Sequence, residues 1–292
     1  MTSANPDRPE ERSGERTGEV IGQRYRLGNL IGRGGQGAVY RARDLKAGDE
    51  VAIKILREFN PRDVNLRERM LREAHALTVL RGTAAVQVLH QAWANDGSYC
   101  LVMELLEGQN FEDHLRQREA RGEKLNLAEL SRYLEPVVAT LERAHHAGIL
   151  HRDLKPSNLF ILHTGQVRLM DFGFAKFTRM ASLTQAGLVA GSPNYIAPEI
   201  WQGRTDFDQR IDVYSLAAVS FRALAGRTPF TSERLDELLN QVTRAPRPKL
   251  SPERPDLPRA VDDWFEHGLA IDPSHRFERV RAMWNALDIL AH

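Results

Sequence analysis

Apolar and polar positions divide the chain into a strand-rich first third and a mainly helical remainder. From Arg24 to about Leu106, the segments YRLGNLI, AVYRARD and VAIKILRE read as three short strands in a meander, with a glycine cluster after the first and a KAGDE turn after the second. The stretch NLRERMLREAHALTVLRG then has Leu66, Met70, Leu77 and Leu80 at seven- and four-residue spacings, which predicts a helix with one apolar face. Glu73 falls on that same stripe, so its carboxylate needs a cationic partner inside the fold. VQVLHQAW and YCLVMELL read as two further strands.

After Glu107-Gly108 the period changes. NLAELSRYLEPVVATLERAHHAG carries apolar residues at 127, 130, 134, 137, 138 and 141, with Asn126 and Glu129 as a capping-box start and Gly148 as a stop. LFIL and VRLM around His163-Thr164-Gly165-Gln166 predict a hairpin. RIDVYSLAAVSFRALAG is apolar nearly all round, which predicts a helix buried in the middle of the second lobe. Shorter helices are expected around DELLNQVT, RAVDDWFEHGLA and VRAMWNALDILAH. The proline-rich RAPRPKLSPERPDLP reads as a surface loop rather than a PxxP ligand. The fold class is α+β: a small β-rich lobe over about residues 21–106 and a larger helical lobe over about 107–292, joined near Glu104 to Gly108.

Composition narrows the function classes. The chain has 292 residues, 42% hydrophobic and 27% charged, as in ordinary globular proteins. Its formal net charge of +1 supplies no electrostatic reason to expect nucleic acid or an acidic membrane as partner. No apolar run reaches the length of a membrane span. The opening MTSANPDRPEERSGERTGE lacks the apolar core of a secretory signal, and its charges predict a disordered tail over residues 1–20. The single cysteine, Cys100, lies in an apolar run, where it reads as a small buried hydrophobe; a chain without an internal disulfide suits the cytoplasm.

Four stretches carry chemistry. GRGGQG (Gly32, Arg33, Gly34, Gly35, Gln36, Gly37) matches GxGxxG, a pattern shared with dinucleotide sites. Here the glycines lead into Ala38, Val39 and a second strand rather than a helix, a strand–loop–strand that lets backbone N–H groups approach phosphates. Lys54 in VAIK stands on an inward strand face, between Val51, Ile53 and Ile55, and is the cation that Glu73 requires. DFG (171–173) follows a strand and suits Asp171 as a Mg²⁺ ligand. HRDLKPSN sets Asp153, Lys155 and Asn158 between apolar GIL and LFIL, where polar groups must be partnered or used.

In order and spacing, GRGGQG, VAIK, Glu73, HRDLKPSN, DFG and APE (Ala197 to Glu199) resemble the signature set of a eukaryotic-type (Hanks-type) protein kinase over about Tyr25 to His292. RYRL, GSPNYIAPE and the proline-rich loop are similar to the bacterial serine/threonine branch. The resemblance implies a bilobal kinase fold and transfer of the γ-phosphoryl group of ATP to protein hydroxyls. It implies that Asp153 accepts the substrate proton, Lys155 steadies the transferring group, Asn158 and Asp171 hold Mg²⁺ (or Mn²⁺), and Lys54, oriented by Glu73, grips the α- and β-phosphates. Ile31, Val39, Ala52 and Phe160 should sandwich the adenine, with backbone groups of Glu104 and Leu106 on its edge; Phe160 is bulkier than the leucine often found there.

By the same resemblance Glu199 pairs with Arg276, Asp212 braces the HRD turn, and Phe172, His151 and Leu77 stack in an internal spine. His151 is then a packed core histidine, and His145 and His146 read as helix-end residues. Lys155 and GSPNYIAPE imply serine/threonine substrates, with Ser192 where threonine is common. Arg152 is expected to hold an activation-loop phosphate. Thr184 is the expected site, Ser182 a weaker candidate, and a homodimer is the expected setting for autophosphorylation. The rival readings are a pseudokinase scaffold, a small-molecule kinase and a dinucleotide-dependent oxidoreductase. Lys54, Asp153 and Asp171 speak against the first, Arg152 with APE against the second, and the strand after the glycines against the third.

Overall fold

The structure, a computed structural model, describes residues 16–34, 37–56, 79–172 and 193–291. These fold as two compact units. The first takes the described residues up to Leu56 together with Val86–Leu106, and the second takes residues 79–85 and the chain from Glu107 onward.

The first unit is an antiparallel sheet of β1 (Val20–Ile21), β2 (Tyr25–Gly34), β3 (Gly37–Asp44), β4 (Glu50–Leu56), β5 (Val88–Trp93) and β6 (Tyr99–Glu104), in the order β1-β2-β3-β4-β6-β5. The meander expected from the sequence is there, with Tyr40 opposite Ile53 and Ile53 opposite Val102. The alternation expected along VAIK is there too: Val51, Ile53 and Ile55 join the apolar cluster of this unit, and Ala52 and Lys54 stand outside it. Val51 to Ile55 are nonetheless all buried. Cys100 is fully buried, and burial pushes its thiol pKa up to about 12, so it stays neutral and inert.

Of the stretch expected to be disordered, residues 16–20 are bonded into the sheet, and residues 1–15 lie outside the described residues. Gly18 N–H donates to the Leu27 carbonyl (2.8 Å) and Leu27 N–H to the Glu19 carbonyl (2.8 Å). Arg16 pairs with Glu19 at 2.7 Å and with Asp96 at 3.1 Å. Arg16 and Glu19, which read as solvated charges, are instead partnered within the unit, and β1 covers the edge of β2.

In the second unit, β7 (Gly108–Asn110), β8 (Leu159–Leu162) and β9 (Val167–Leu169) form a three-stranded sheet, β8 and β9 being the expected hairpin. The helices are α1 (Phe111–Glu119), α2 (Leu127–His146), α3 (Pro198–Trp201), α4 (Arg210–Ala225), α5 (Leu235–Arg244), α6 (Val261–Gly268) and α7 (Val280–Ala291). The Asn126/Glu129 capping box starts α2. Every residue of α4 from Ile211 to Ala225 is buried. One of them, Arg222, reaches Glu112 (3.0 Å) and Glu119 of α1, which removes the cost of an unpaired internal charge. The proline-rich stretch is a docked loop: Arg254 donates to the carbonyls of Leu125 (3.0 Å) and Leu224 (2.6 Å).

Helix α1 was not anticipated. Only Phe111 and Leu115 are buried on it, too sparse a stripe to read, although Asn110 caps it by accepting from Asp113 N–H at 2.9 Å.

Two glycines open strands at places where no side chain fits. A Cβ on Gly37 would lie 2.1 Å from the Ile55 carbonyl oxygen, and one on Gly108 2.0 Å from that of Ile161; both have φ of +152°. Gly108→Ala must therefore push β7 off β8. We expect thermal unfolding to shift down by about 4 °C or more, as for a loss of at least ~2 kcal/mol. An unshifted melting curve would contradict the pairing of β7 with β8.

Candidate active site

The first unit supplies the phosphate-loop and lysine residues. Gly34 and Gly37 pair where β2 gives way to β3, so the glycines lead from strand to strand, as the sequence implied. Gly35 and Gln36 lie outside the described residues. Gly32 pairs with Val39 and Arg33 with Ala38. Ile31 is exposed on β2, Val39 is half-buried and Ala38 and Ala52 are buried. Lys54 is 8% exposed and lies opposite Val39 on one side and Leu101 on the other. Glu73, its expected partner, lies outside the described residues. At the end of β6, Glu104 N–H donates to the Gln87 carbonyl (3.0 Å), and Gln87 N–H to Glu104 Oε1 (2.9 Å). Since that N–H is engaged, Glu104 would meet a ligand through its carbonyl. Leu106, two residues on, is half-buried.

The second unit gathers the HRD and DFG residues. Asp153 Oδ2 lies 3.2 Å from Lys155 Nζ and 3.2 Å from Asn158 Nδ2, and Asn158 Nδ2 also donates to the Asp153 carbonyl at 2.8 Å. These bonds aim the Asp153 carboxylate through two neighbours in its own loop. Asn158 is buried, and its carbonyl accepts from Met170 N–H at 2.8 Å, which sets Asp171 one residue beyond that bond. Asp171 (φ +51°) and Arg152 (φ +65°) both hold left-handed backbone angles without being glycine, a conformation that persists only where surrounding bonds impose it. Phe160, half-buried on β8, pairs with Asn110 and Arg168.

For Arg152 the imposing group is Asp212, fully buried at the start of α4. Its carboxylate accepts from His151 N–H (2.8 Å), Arg152 N–H (2.9 Å) and His145 Nε2 (2.7 Å). Burial alone would raise its pKa, but the His145 hydrogen bond and the backbone donors outweigh that and hold it below the usual carboxylate range. The brace on the HRD turn was expected; the role of His145 was not. His145 and His146 are alike in sequence. In the structure the His145 side chain is buried on Asp212, whereas His146 Nδ1 meets the Glu142 carbonyl on an exposed face. The available signal was Asp212 itself, a carboxylate in an otherwise apolar helix that must find donors.

His151 is fully buried. Its Nε2 faces the Met170 carbonyl at 2.9 Å, so that nitrogen carries the proton, and Nδ1 accepts from Asp153 N–H at 3.3 Å. Burial holds its pKa below the ordinary value, and a second proton would cost the Asp153 bond. It packs on Phe172 with ring centroids 4.8 Å apart, so it is the core histidine the sequence implied. Glu199 and Arg276 pair at 2.7 Å, and the remaining Arg276 N–H groups reach the carbonyls of Ala270, Arg210 and Ile271. The Arg152 guanidinium lies 5.5 Å from the Phe207 ring centre. Thr184, Ser182, Ser192 and Leu77 lie outside the described residues.

The residues present fit a magnesium ion better than zinc. Asn158 and Asp171 offer oxygen donors, and magnesium commonly takes one or two carboxylates, waters and substrate phosphates. Among the described residues no cluster of three His, Cys, Asp or Glu side chains could hold a metal unaided.

Residues 25–287 match the protein kinase domain family. The serine/threonine-protein kinase PknA of Mycobacterium tuberculosis is 37% identical over 266 residues, which cover 90% of this chain and 60% of that protein. The serine/threonine-protein kinase PrkC of Bacillus subtilis is 33% identical over 266 residues, covering 91% and 40%. The chain thus spans little more than half the length of these relatives, or less. The crystal structure of the M. tuberculosis PknI kinase domain superposes with a TM-score of 0.73 at 26% identity, covering 94% of this chain and 99% of that one.

The Asp212 brace predicts a pH signature. Because its folded pKa is depressed, its stabilisation is complete above the unfolded value near 4 and is lost as pH falls from there through the folded value. Asp212→Asn should be less stable by about 3–5 kcal/mol near neutrality. In urea titrations the gap to wild type should stay flat between about pH 5 and 8 and narrow below about pH 4. A gap that widened with acid would refute the assignment.

Proposed function

This chain belongs to the protein kinase family, and we propose that it transfers the γ-phosphoryl group of ATP to serine and threonine hydroxyls of proteins. The observation that carries this reading is the Asp153 carboxylate set between Lys155 and Asn158, each 3.2 Å away, in the loop that abuts Asp171. In the proposed reaction the acceptor hydroxyl oxygen bonds to the γ-phosphorus as the β–γ bridging bond breaks. ADP leaves, and the hydroxyl proton passes to Asp153. Lys155, already beside that carboxylate, offsets charge on the transferring group. Asn158 and Asp171 would hold Mg²⁺ or Mn²⁺, which supplies neutralisation of the phosphate oxygens. Lys54, with Glu73, takes the α- and β-phosphates, the glycine loop covers them, and Ile31, Val39, Ala52 and Phe160 flank the adenine.

Serine/threonine acceptors are favoured by Lys155 and by the GSPNYIAPE segment, as in the names of the relatives. Thr184 is the proposed activating phosphosite, its phosphate meeting Arg152 through charge-assisted bonds, with a pair of copies as the setting for autophosphorylation. The proposed kinase domain runs over residues 21–292 and works in the cytoplasm. No helix among the described residues is long and apolar enough to cross a membrane.

Purified protein with Mg²⁺ or Mn²⁺ should label itself or a generic basic protein on serine or threonine. Asp153→Asn should slow turnover by roughly 10²–10⁴ while nucleotide still binds, and Lys54→Met should abolish transfer without unfolding the chain. ATP binding by the wild type with no transfer under any metal would favour a scaffold instead. Mass spectrometry against the Asp153→Asn control should find phosphate on Thr184 of active protein; full activity of Thr184→Ala would remove that site from the proposal.

A further inference from the structure

Helix α2 contains Pro136, which has no N–H and disturbs the turn before it. One turn later stands Thr140, fully buried. Its hydroxyl donates to the Pro136 carbonyl at 2.7 Å, which turns its lone pairs outward from the helix, and there it accepts from Ala84 N–H at 3.0 Å. A threonine in a helix usually bonds only its own backbone; this one also reaches a segment 56 residues away.

That segment is itself rigid. Thr83 Oγ1 donates to the Leu80 carbonyl at 2.6 Å and accepts from Ala85 N–H at 3.2 Å. The Ala84 carbonyl then accepts from Leu169 N–H at 2.7 Å, and Ala85 makes a parallel bridge to Leu169. Residues 84 and 85 therefore act as a further short strand on the free edge of β9. The other edge of β9 pairs Leu169 with Leu159, the residue after Asn158. Leu169 is clamped from both sides, two residues before Asp171 with its left-handed φ of +51°.

We infer that Thr140 is a positioning residue for Asp171, acting through the Ala84 peptide and Leu169. This rests on the kinase reading, in which Asp171 holds the metal. Removing the hydroxyl leaves Ala84 N–H buried without an acceptor, and the strand end that carries Asp171 loses its outer clamp.

The test uses Thr140→Val, which keeps the shape, and Thr140→Ser, which restores the hydroxyl, with Asp171→Asn marking full loss of the metal ligand. Two readouts apply to the whole chain: hydrogen exchange of the Leu169 amide, and the Mg²⁺ concentration that half-saturates binding of a fluorescent ATP analogue. Thr140→Val should speed exchange at Leu169 and raise the half-saturating Mg²⁺ by about tenfold, and Thr140→Ser should return both towards wild type. Wild-type values for Thr140→Val, or equal impairment in Thr140→Ser, overturn the inference. If the wild type shows no metal-dependent nucleotide binding, the kinase reading fails and the Leu169 exchange alone decides the latch, unchanged exchange refuting it.

Discussion

A carboxylate buried at the start of an apolar helix organises the second unit. Asp212 sits at zero exposure, where an unpaired charge would cost several kcal/mol, so it must collect donors. It collects three, and two of them are consecutive backbone N–H groups of the turn that precedes Asp153. Those two bonds hold Arg152 in a left-handed conformation that a non-glycine residue otherwise avoids. The electrostatic need of one residue thereby becomes the backbone geometry of the loop on which the proposed chemistry depends. His145, the third donor, fixes the end of α2 to the same point.

The same logic recurs around α4 with cations. Arg222 is buried on the helix and met by two glutamates of α1, and Arg276 is buried beneath Glu199 with carbonyls on its other N–H groups. Each arginine ties a loop or helix far away in sequence to the apolar centre. Breaking one partner leaves the other charge unpaired, so these contacts enforce one arrangement of the surrounding segments more than they add net stability. Within α2, Thr140 does with a neutral hydroxyl what Asp212 does with charge. It satisfies a buried N–H and so fixes where the strand before Asp171 ends.

What the sequence disclosed depended on how local the signal was. The α2 capping box, the β8–β9 hairpin and the burial of α4 were legible because a period or a cap lies within a few residues. Helix α1 was missed because its apolar stripe has only Phe111 and Leu115, and the pairing of Arg16 and Glu19 because a charged segment looks the same whether its charges meet water or each other. VAIK, by contrast, was legible from its local pattern, its period of two setting Val51, Ile53 and Ile55 in the apolar cluster and leaving Ala52 and Lys54 outside it.

By itself, then, the sequence determined the order and spacing of the motifs, and with them the family and the identities of Asp153, Lys155, Asn158, Asp171 and Lys54, since chemistry selects residue types and those are written directly in the chain. Only the tertiary structure decided which of two adjacent histidines braces Asp212, which way the His151 ring is protonated, and that a threonine in α2 reaches Ala84 and so the strand before Asp171. These are hydrogen bonds between residues tens of positions apart. Whether such a donor finds its acceptor depends on burial and on the path of the intervening chain, neither of which any local pattern records.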